Sequence, residues 1–280
     1  MTYKIIADSC CDLAENSKVK DKVVKIPLTL TVEDVDIIDD ETFNQADFIK
    51  RVDESKNSPK SACPSPHAYL EAYEGDEEAV FVITLSSKLS GSYESASVAK
   101  KMYHEDNPES DKKIYVIDSK SASVGEANIA ETVFTVMEET GDCEKAYKKA
   151  IEFREGQNTF FVLESLETLR KNGRLSNLSA IVASVLNIKP VMVGEDGMIG
   201  KLDQARGMDK ALAKMVKYII ERTINPEKKI LAISHCNCKE RALALKDMIM
   251  NTIKFKDITI AETAGVSTMY ANNGGIIVAV

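Results

Sequence analysis

Short apolar runs rich in β-branched residues alternate along this chain with longer amphipathic stretches, and that alternation leaves few folds open. YKIIAD, VVKIPLTL, AVFVITL and KKIYVID read as strands in the first half; NTFFVLES, KPVMVG, KKILAISH, DITIAE and GGIIVAV read as strands in the second. Between them PHAYLEAYE, SYESASVAKKMYHE, ANIAETVFTVMEE, CEKAYKKAIEFRE, LSAIVASVLN, MDKALAKMVKYIIERT and KERALALKDMIMNTI read as helices, with Ala211, Met215, Tyr218 and Ile219 on one face. Strands covered by helices make an α/β protein. At 280 residues the chain is long for one core. Two α/β domains are therefore expected, residues 1–157 and 158–280, divided at EGQN after a long helical region and before a new strand. The first reads as a mainly parallel sheet flanked by helices. In the second, Glu195-Asp196-Gly197 is a hairpin signal between KPVMV and MIGKL, which makes its sheet mixed.

Charge and composition exclude several functions. A net charge of −8 offers no basic face for a phosphate backbone, so nucleic acid is not an expected partner. No apolar run reaches the length of a membrane span, and MTYKIIADS carries charge too early for a signal peptide. Six cysteines without a disulfide-framework spacing read as reduced thiols of a cytoplasmic protein. No Walker loop, Gly-x-Gly-x-x-Gly or Gly-x-Ser-x-Gly occurs, so nothing marks a nucleotide or a hydrolase elbow. The acidic segment VEDVDIIDDET (32–42) lacks calcium-loop spacing and reads as a solvated loop.

Several strands end on small polar residues: Asp8-Ser9, Asp118-Ser119 with Ser121, and the cluster LSSKLSGS from Leu85 to Ser92. In open parallel sheets ligands bind beyond the carboxyl ends of the strands. These residues either cap the following helices and brace loops, or aim hydroxyls and amides at an anion; Gly91 allows close backbone approach. In KSACPSP, Ser65-Pro66 reads as a helix start, with Ser61, Cys63 and His67 beside it. In LETLRKNGRLS, Gly173 stops one helix and Ser176 caps the next, which fixes Arg174 between them. That guanidinium either compensates a helix C-terminus or faces an anionic ligand or a phosphorylating partner.

Taken in order, IADSCCDL, VVKIPLTL, KSACPSP, VITLSSKLSGSYESA, YVIDSKSASVG, FVLESLETLRKNGRLS, IKPVMVGEDGMI and DQARGMDKAL resemble the DegV family nearly end to end. The resemblance implies a two-domain α/β protein that is not itself a catalyst and needs no cofactor. Such a protein holds one long-chain fatty acid in an enclosed tunnel, and lipid exchange implies peripheral contact with a membrane. Some members carry the lipid for a bacterial fatty acid kinase, presenting its carboxylate to a separate ATP-dependent subunit. On this resemblance Ser61 takes the place of a family threonine, and Ser90, Gly91 and Ser92 match the Ser-Gly-Thr turn. Ser61 and Ser90 are then the candidate carboxylate donors, and Arg174 serves the kinase partnership. LSAIVASVLN is a candidate lining of the tunnel. Tyr270 stands where the family's His-x-Gly-Pro-Gly histidine is expected, with Asn272-Asn273-Gly274 after it, and Ala62-Cys63 replaces the usual Ser-Gln. A tyrosine donates a hydrogen bond but brings no positive charge. Lipid binding should tolerate these changes better than kinase chemistry does.

Other classes compete with this reading. A Ser/Lys hydrolase would use Ser86 or Ser90 with Lys88, and requires that lysine to face the serine. A Cys63–His67 dyad, a metal or redox sensor built from Cys10, Cys236 and Cys238, and a carrier of a different small anionic lipid are the remaining alternatives.

Overall fold

The computed structural model describes residues 2–175 and 187–280; Ser176 and nearly all of LSAIVASVLN lie outside the described residues. The first sheet is four parallel strands, β1 (Tyr3–Asp8), β2 (Val23–Ile26), β6 (Ala79–Thr84) and β7 (Lys113–Asp118), in the order β2-β1-β6-β7. All six residues of β6 are buried, as a strand covered on both faces requires. Helices α4 (Val124–Thr140) and α5 (Cys143–Glu155) cover one face, packing Ile129, Val133 and Ala146 against Ile5, Phe81 and Ile117. On the other, α2 (Pro66–Tyr73) and α3 (Ser92–Asp106) set Tyr69, Tyr73 and Ala96 against Ile6, Val80 and Val82. The start of α2 is the one its sequence predicts: Ser65 accepts from the Ala68 amide and Pro66 fills the first helical position.

VVKIPLTL is two strands rather than the single expected one. Pro27 has no N–H to give a ladder, and the chain changes sheets at this point. The second piece, β3 (Thr29–Val32), pairs antiparallel with β4 (Val35–Ile38) and β5 (Lys60–Ala62) in a separate small sheet beside α1 (Gln45–Glu54). The acidic segment is therefore not a solvated loop. Most of its carboxylates are exposed on a hairpin, but Asp39 is buried.

The second half forms a six-stranded mixed sheet, β10-β9-β8-β13-β11-β12. Its strands are β8 (Thr159–Val162), β9 (Ile188–Glu195), β10 (Met198–Arg206), β11 (Ile230–His235), β12 (Asp257–Glu262) and β13 (Ile276–Ala279). Only β11 and β12 run parallel to each other. Asp196 and Gly197 both have positive φ, 48° and 80°, and make the tight β9–β10 turn that the sequence signals. On the outer face α7 (Met208–Arg222) and α8 (Lys239–Met250) bury Met215, Ile219 and Leu245 against Phe160, Val193 and Ile233. The opposite face carries Phe161, Met192 and Ile277, which pack with residues from the short helices α6 (Glu167–Lys171) and α9 (Gly265–Ala271) and their flanks. Helix α4 packs against both β11 and β13, so the two sheets meet through it.

Asp39 joins the small sheet to the second half. It accepts from the amides of Gly265 (2.6 Å) and Val266 (2.8 Å), at the start of α9, and from the Ser9 hydroxyl (2.7 Å). Removing a buried acceptor strands those donors. Asp39→Ala should lower the free energy of urea unfolding by about 3 kcal/mol. The exposed Asp34→Ala should stay within about 0.5 kcal/mol of wild type. Equal behaviour of the two variants would show that the Asp39 contacts do not hold the halves together.

Candidate functional site

The carboxyl ends of β1, β6 and β7 lie side by side, as the three polar strand ends predict. Asp8 and Asp118 brace the loops there. Asp8 accepts from the amides of Cys10 (3.1 Å) and Leu85 (2.8 Å). Asp118 accepts from the amides of Ser87 and Lys120 and from the Ser87 hydroxyl. The hydroxyls after β6 divide between two tasks. Ser86 is fully buried and donates to the Gly197 carbonyl at 2.7 Å. With the ion pair of Lys120 and Asp196 (2.8 Å), that bond pins the β9–β10 turn onto the first sheet. Ser90 is half-buried; its oxygen lies 3.0 Å from that of Ser92 and accepts from the Ser92 amide.

Ser61, Cys63, Ser90, Gly91, Arg174 and Tyr270, residues distant in sequence, line one polar pocket. Ser61 Oγ and Tyr270 Oη are 3.1 Å apart. The approach here is close: a β-carbon on Gly91 would stand 2.9 Å from the Cys63 sulfur, so Cys63 would have to turn aside. Ser92 does not line the pocket: it is fully buried behind Ser90 at the start of α3. Arg174 follows Gly173, whose positive φ of 76° ends the α6 turn as the sequence predicts. Its Nε donates to the Leu89 carbonyl (3.1 Å), and its guanidinium lies 5.8 Å from the centre of the Tyr270 ring. It thus stands in the pocket wall.

The polar pocket abuts an apolar cavity. It is walled by Cys10, Phe161, Leu163, Ile199, Val266 and Ile277, among others. Its hydroxyl-bearing neighbours Ser121 and Thr159 satisfy each other at 2.6 Å. Leu85, Leu89, Arg174 and Tyr270 line both spaces. Both halves of the chain contribute walls to each.

The competing chemistries find little support in this geometry. Lys88 is exposed, and the Ser86 hydroxyl is committed to the Gly197 carbonyl, so the Ser/Lys hydrolase has no lysine facing its serine. Cys63 lies against Gly91 and Ser95, while His67 is exposed on α2. Cys10, Cys236 and Cys238 do not gather: the Cys10 sulfur meets Ser267 and the Ser123 amide, and that of Cys238 meets the Gly275 carbonyl.

A model of the DegV family, described as uncharacterised protein, matches residues 2–280. A DegV domain-containing protein of Streptococcus pneumoniae is 34% identical over 281 residues, which is 99% of this chain and 98% of the relative. Among solved structures, a DegV-family protein from Ruminococcus gnavus refined with vaccenic acid superposes with a TM-score of 0.95 at 41% identity, over 100% of both chains. The fatty acid kinase B3 protein of Streptococcus pneumoniae, loaded with linoleic acid, gives 0.90 at 33% identity, over 100% of this chain and 99% of the other. A Eubacterium eligens protein loaded with heptadecanoic acid gives 0.90 at 29%, over 99% and 98%.

Of the buried acids behind the pocket, Asp8 is marked in the sequence by its place at a strand end, while Asp12 is not. Asp12 is fully buried, accepting from the Ala264 amide (2.8 Å) and from Ser123 Oγ. Burial pushes it, and likewise Asp8, up to about 6, although their hydrogen bonds pull the other way. A carboxyl raised on folding leaves stability whole below its unfolded value and erodes it as pH rises through about 6. Asp12→Asn should therefore gain on wild type by up to about 3 kcal/mol between pH ~4 and ~7. Parallel stability–pH curves for the two proteins would contradict this.

Proposed function

This chain belongs to the DegV family, and from that premise we propose that it binds one long-chain fatty acid and presents it to a separate ATP-dependent fatty acid kinase. One observation carries the reading: a cavity with almost wholly apolar walls shares Leu85, Leu89, Arg174 and Tyr270 with a pocket that bears the Ser61, Ser90 and Tyr270 hydroxyls. That pairing suits an amphiphile with one acidic end. The acyl chain fills the tunnel, each buried methylene contributing about 0.8 kcal/mol before ordering costs. The carboxylate lies among Ser61, Ser90, Gly91 and Tyr270, because an anion leaving water needs several donors. Ser92 supports this group from behind, orienting Ser90. Residues 1–157 supply the hydroxyl-bearing strand ends and residues 158–280 most of the tunnel. The chain supplies no catalysis in this account.

The kinase partnership is supported by the similarity to the pneumococcal kinase B3 protein and by Arg174 at the junction of the two spaces. Tyr270 in place of histidine leaves Arg174 as the positive charge lining that junction.

Native mass spectrometry of the purified protein, followed by denaturation, should release one equivalent of a single fatty acid. An empty protein would refute fatty acid carriage, and a different anionic lipid would replace the ligand while keeping the pocket. Ser61→Ala with Tyr270→Phe should weaken fatty acid retention by about tenfold. Arg174→Ala should keep the lipid while reducing its phosphorylation by a cognate kinase; loss of the lipid would instead make Arg174 a head-group ligand.

A further inference from the structure

Glu126, in the first turn of α4, takes no part in the pocket walls. It is fully buried; neither of its carboxyl oxygens receives an amide or a hydroxyl, and its polar neighbours are the Asp8 carboxyl and the Cys10 sulfur. The hydroxyl of Tyr69 on α2 is equally buried and stands beside Ser92. Asp8 and Cys10, at the end of β1, share the space with Glu126: one oxygen of each carboxyl and the sulfur all lie within 4.8 Å of one another.

The neighbouring acids are provided for. Asp8 accepts two backbone amides, Asp12 one amide and a hydroxyl, and Asp39 two amides and a hydroxyl. Glu126 has none of these. The cation felt by Asp12, Asp39 and Cys11 is Lys25, an exposed residue of β2. An ionised carboxylate with neither donor nor cation is strongly disfavoured in a dry interior, and more so beside a second carboxylate.

We propose that Glu126 is a carboxylic acid whose proton is shared with Asp8, so that the pair holds a single negative charge behind the head-group pocket and keeps that pocket receptive to an anion. The link to the pocket runs through two hydroxyls. Asp8 stands against the Ser92 hydroxyl, and Ser92 Oγ lies 3.0 Å from Ser90 Oγ, which lines the pocket. Ionising Glu126 adds a second charge behind these serines. It repels a bound carboxylate and draws the hydroxyl protons inward. Glu126 is then a positioning residue that sets an alkaline limit on ligand retention. The titratable groups facing it are Asp8, Asp12, Cys10 and Cys11 from β1 and the turn after it, and Tyr69 from α2. Burial favours the neutral form of the thiols and the phenol as well, as it does that of Glu126, so the pocket's back wall resists taking on further negative charge. The coupling to the ligand rests on the fatty-acid reading of the pocket; the shared proton does not.

Two measurements on wild type and Glu126→Gln test this. The infrared difference spectrum near neutral pH should contain the C=O stretch of a protonated carboxylic acid, present in wild type and lost in the variant. If the variant fails to fold, titration of that band in wild type decides alone. The affinity for cis-parinaric acid, a fluorescent fatty acid, should fall about tenfold more in wild type than in Glu126→Gln from neutral to alkaline pH. Absence of the acid band, or a stoichiometric metal ion that the variant loses, overturns the shared proton. Parallel affinity profiles overturn the coupling. Failure of folded wild type to bind the probe at any pH, with the acid band present, refutes the fatty-acid reading and leaves the shared proton standing.

Discussion

The grip of two buried acids on the start of α9 is the contact on which the rest of the site depends. Asp12 takes the Ala264 amide, and Asp39 takes the next two, those of Gly265 and Val266. The acids come from different parts of the first half, the turn after β1 and the segment just past the β3–β4 hairpin, and the amides come from the far end of the chain. Free amides at a helix start carry partial positive charge, so the pairing is electrostatically matched as well as hydrogen-bonded. Gly265 is needed there because a β-carbon would stand 2.4 Å from the Asp39 oxygen. With that end held, α9 delivers Val266 to the apolar cavity and Tyr270 to the junction with the polar pocket.

The cavity itself follows from the way the sheets are covered. Each has one face or more sealed by helices, and the remaining space lies between the carboxyl ends of the first sheet and the inner face of the second. Apolar residues of the second sheet, Phe161 and Ile277, supply walls, while turns of the first supply hydroxyls. The β9–β10 turn closes over this gap, held by Ser86 and Lys120. An amphiphile suits the result because the change from apolar to polar lining occurs across four shared residues rather than being scattered.

Legibility in the sequence differs from residue to residue. The Ser65-Pro66 helix start, the Gly173 stop and the Asp196-Gly197 turn were readable because each rests on local backbone chemistry. Pro27 is equally visible, yet the change of sheet behind it is not, because β-branched and leucine residues flank the proline on both sides and read as one continuous strand. Asp39 sits in a run of acids that looks solvated, and only its distant amides distinguish it. Glu126 lies in a helix whose buried face is, Asn128 apart, apolar or small, so periodicity gives no reason to expect a carboxyl inside.

The sequence by itself determined the α/β class, the parallel and mixed character of the two sheets, the polar strand ends and the family motifs that name Ser61, Ser90 and Arg174. These depend on periodicity and on turn and cap preferences, which act over a few residues. The tertiary structure alone decided that Ser61 meets Tyr270, that Ser92 stands behind Ser90, and that Arg174 joins the wall between an apolar and a polar space. It alone decided which carboxylates are buried and which of them have donors. Desolvation and hydrogen-bond satisfaction are properties of a side chain's whole surroundings, and those surroundings come from segments that are far apart along the chain.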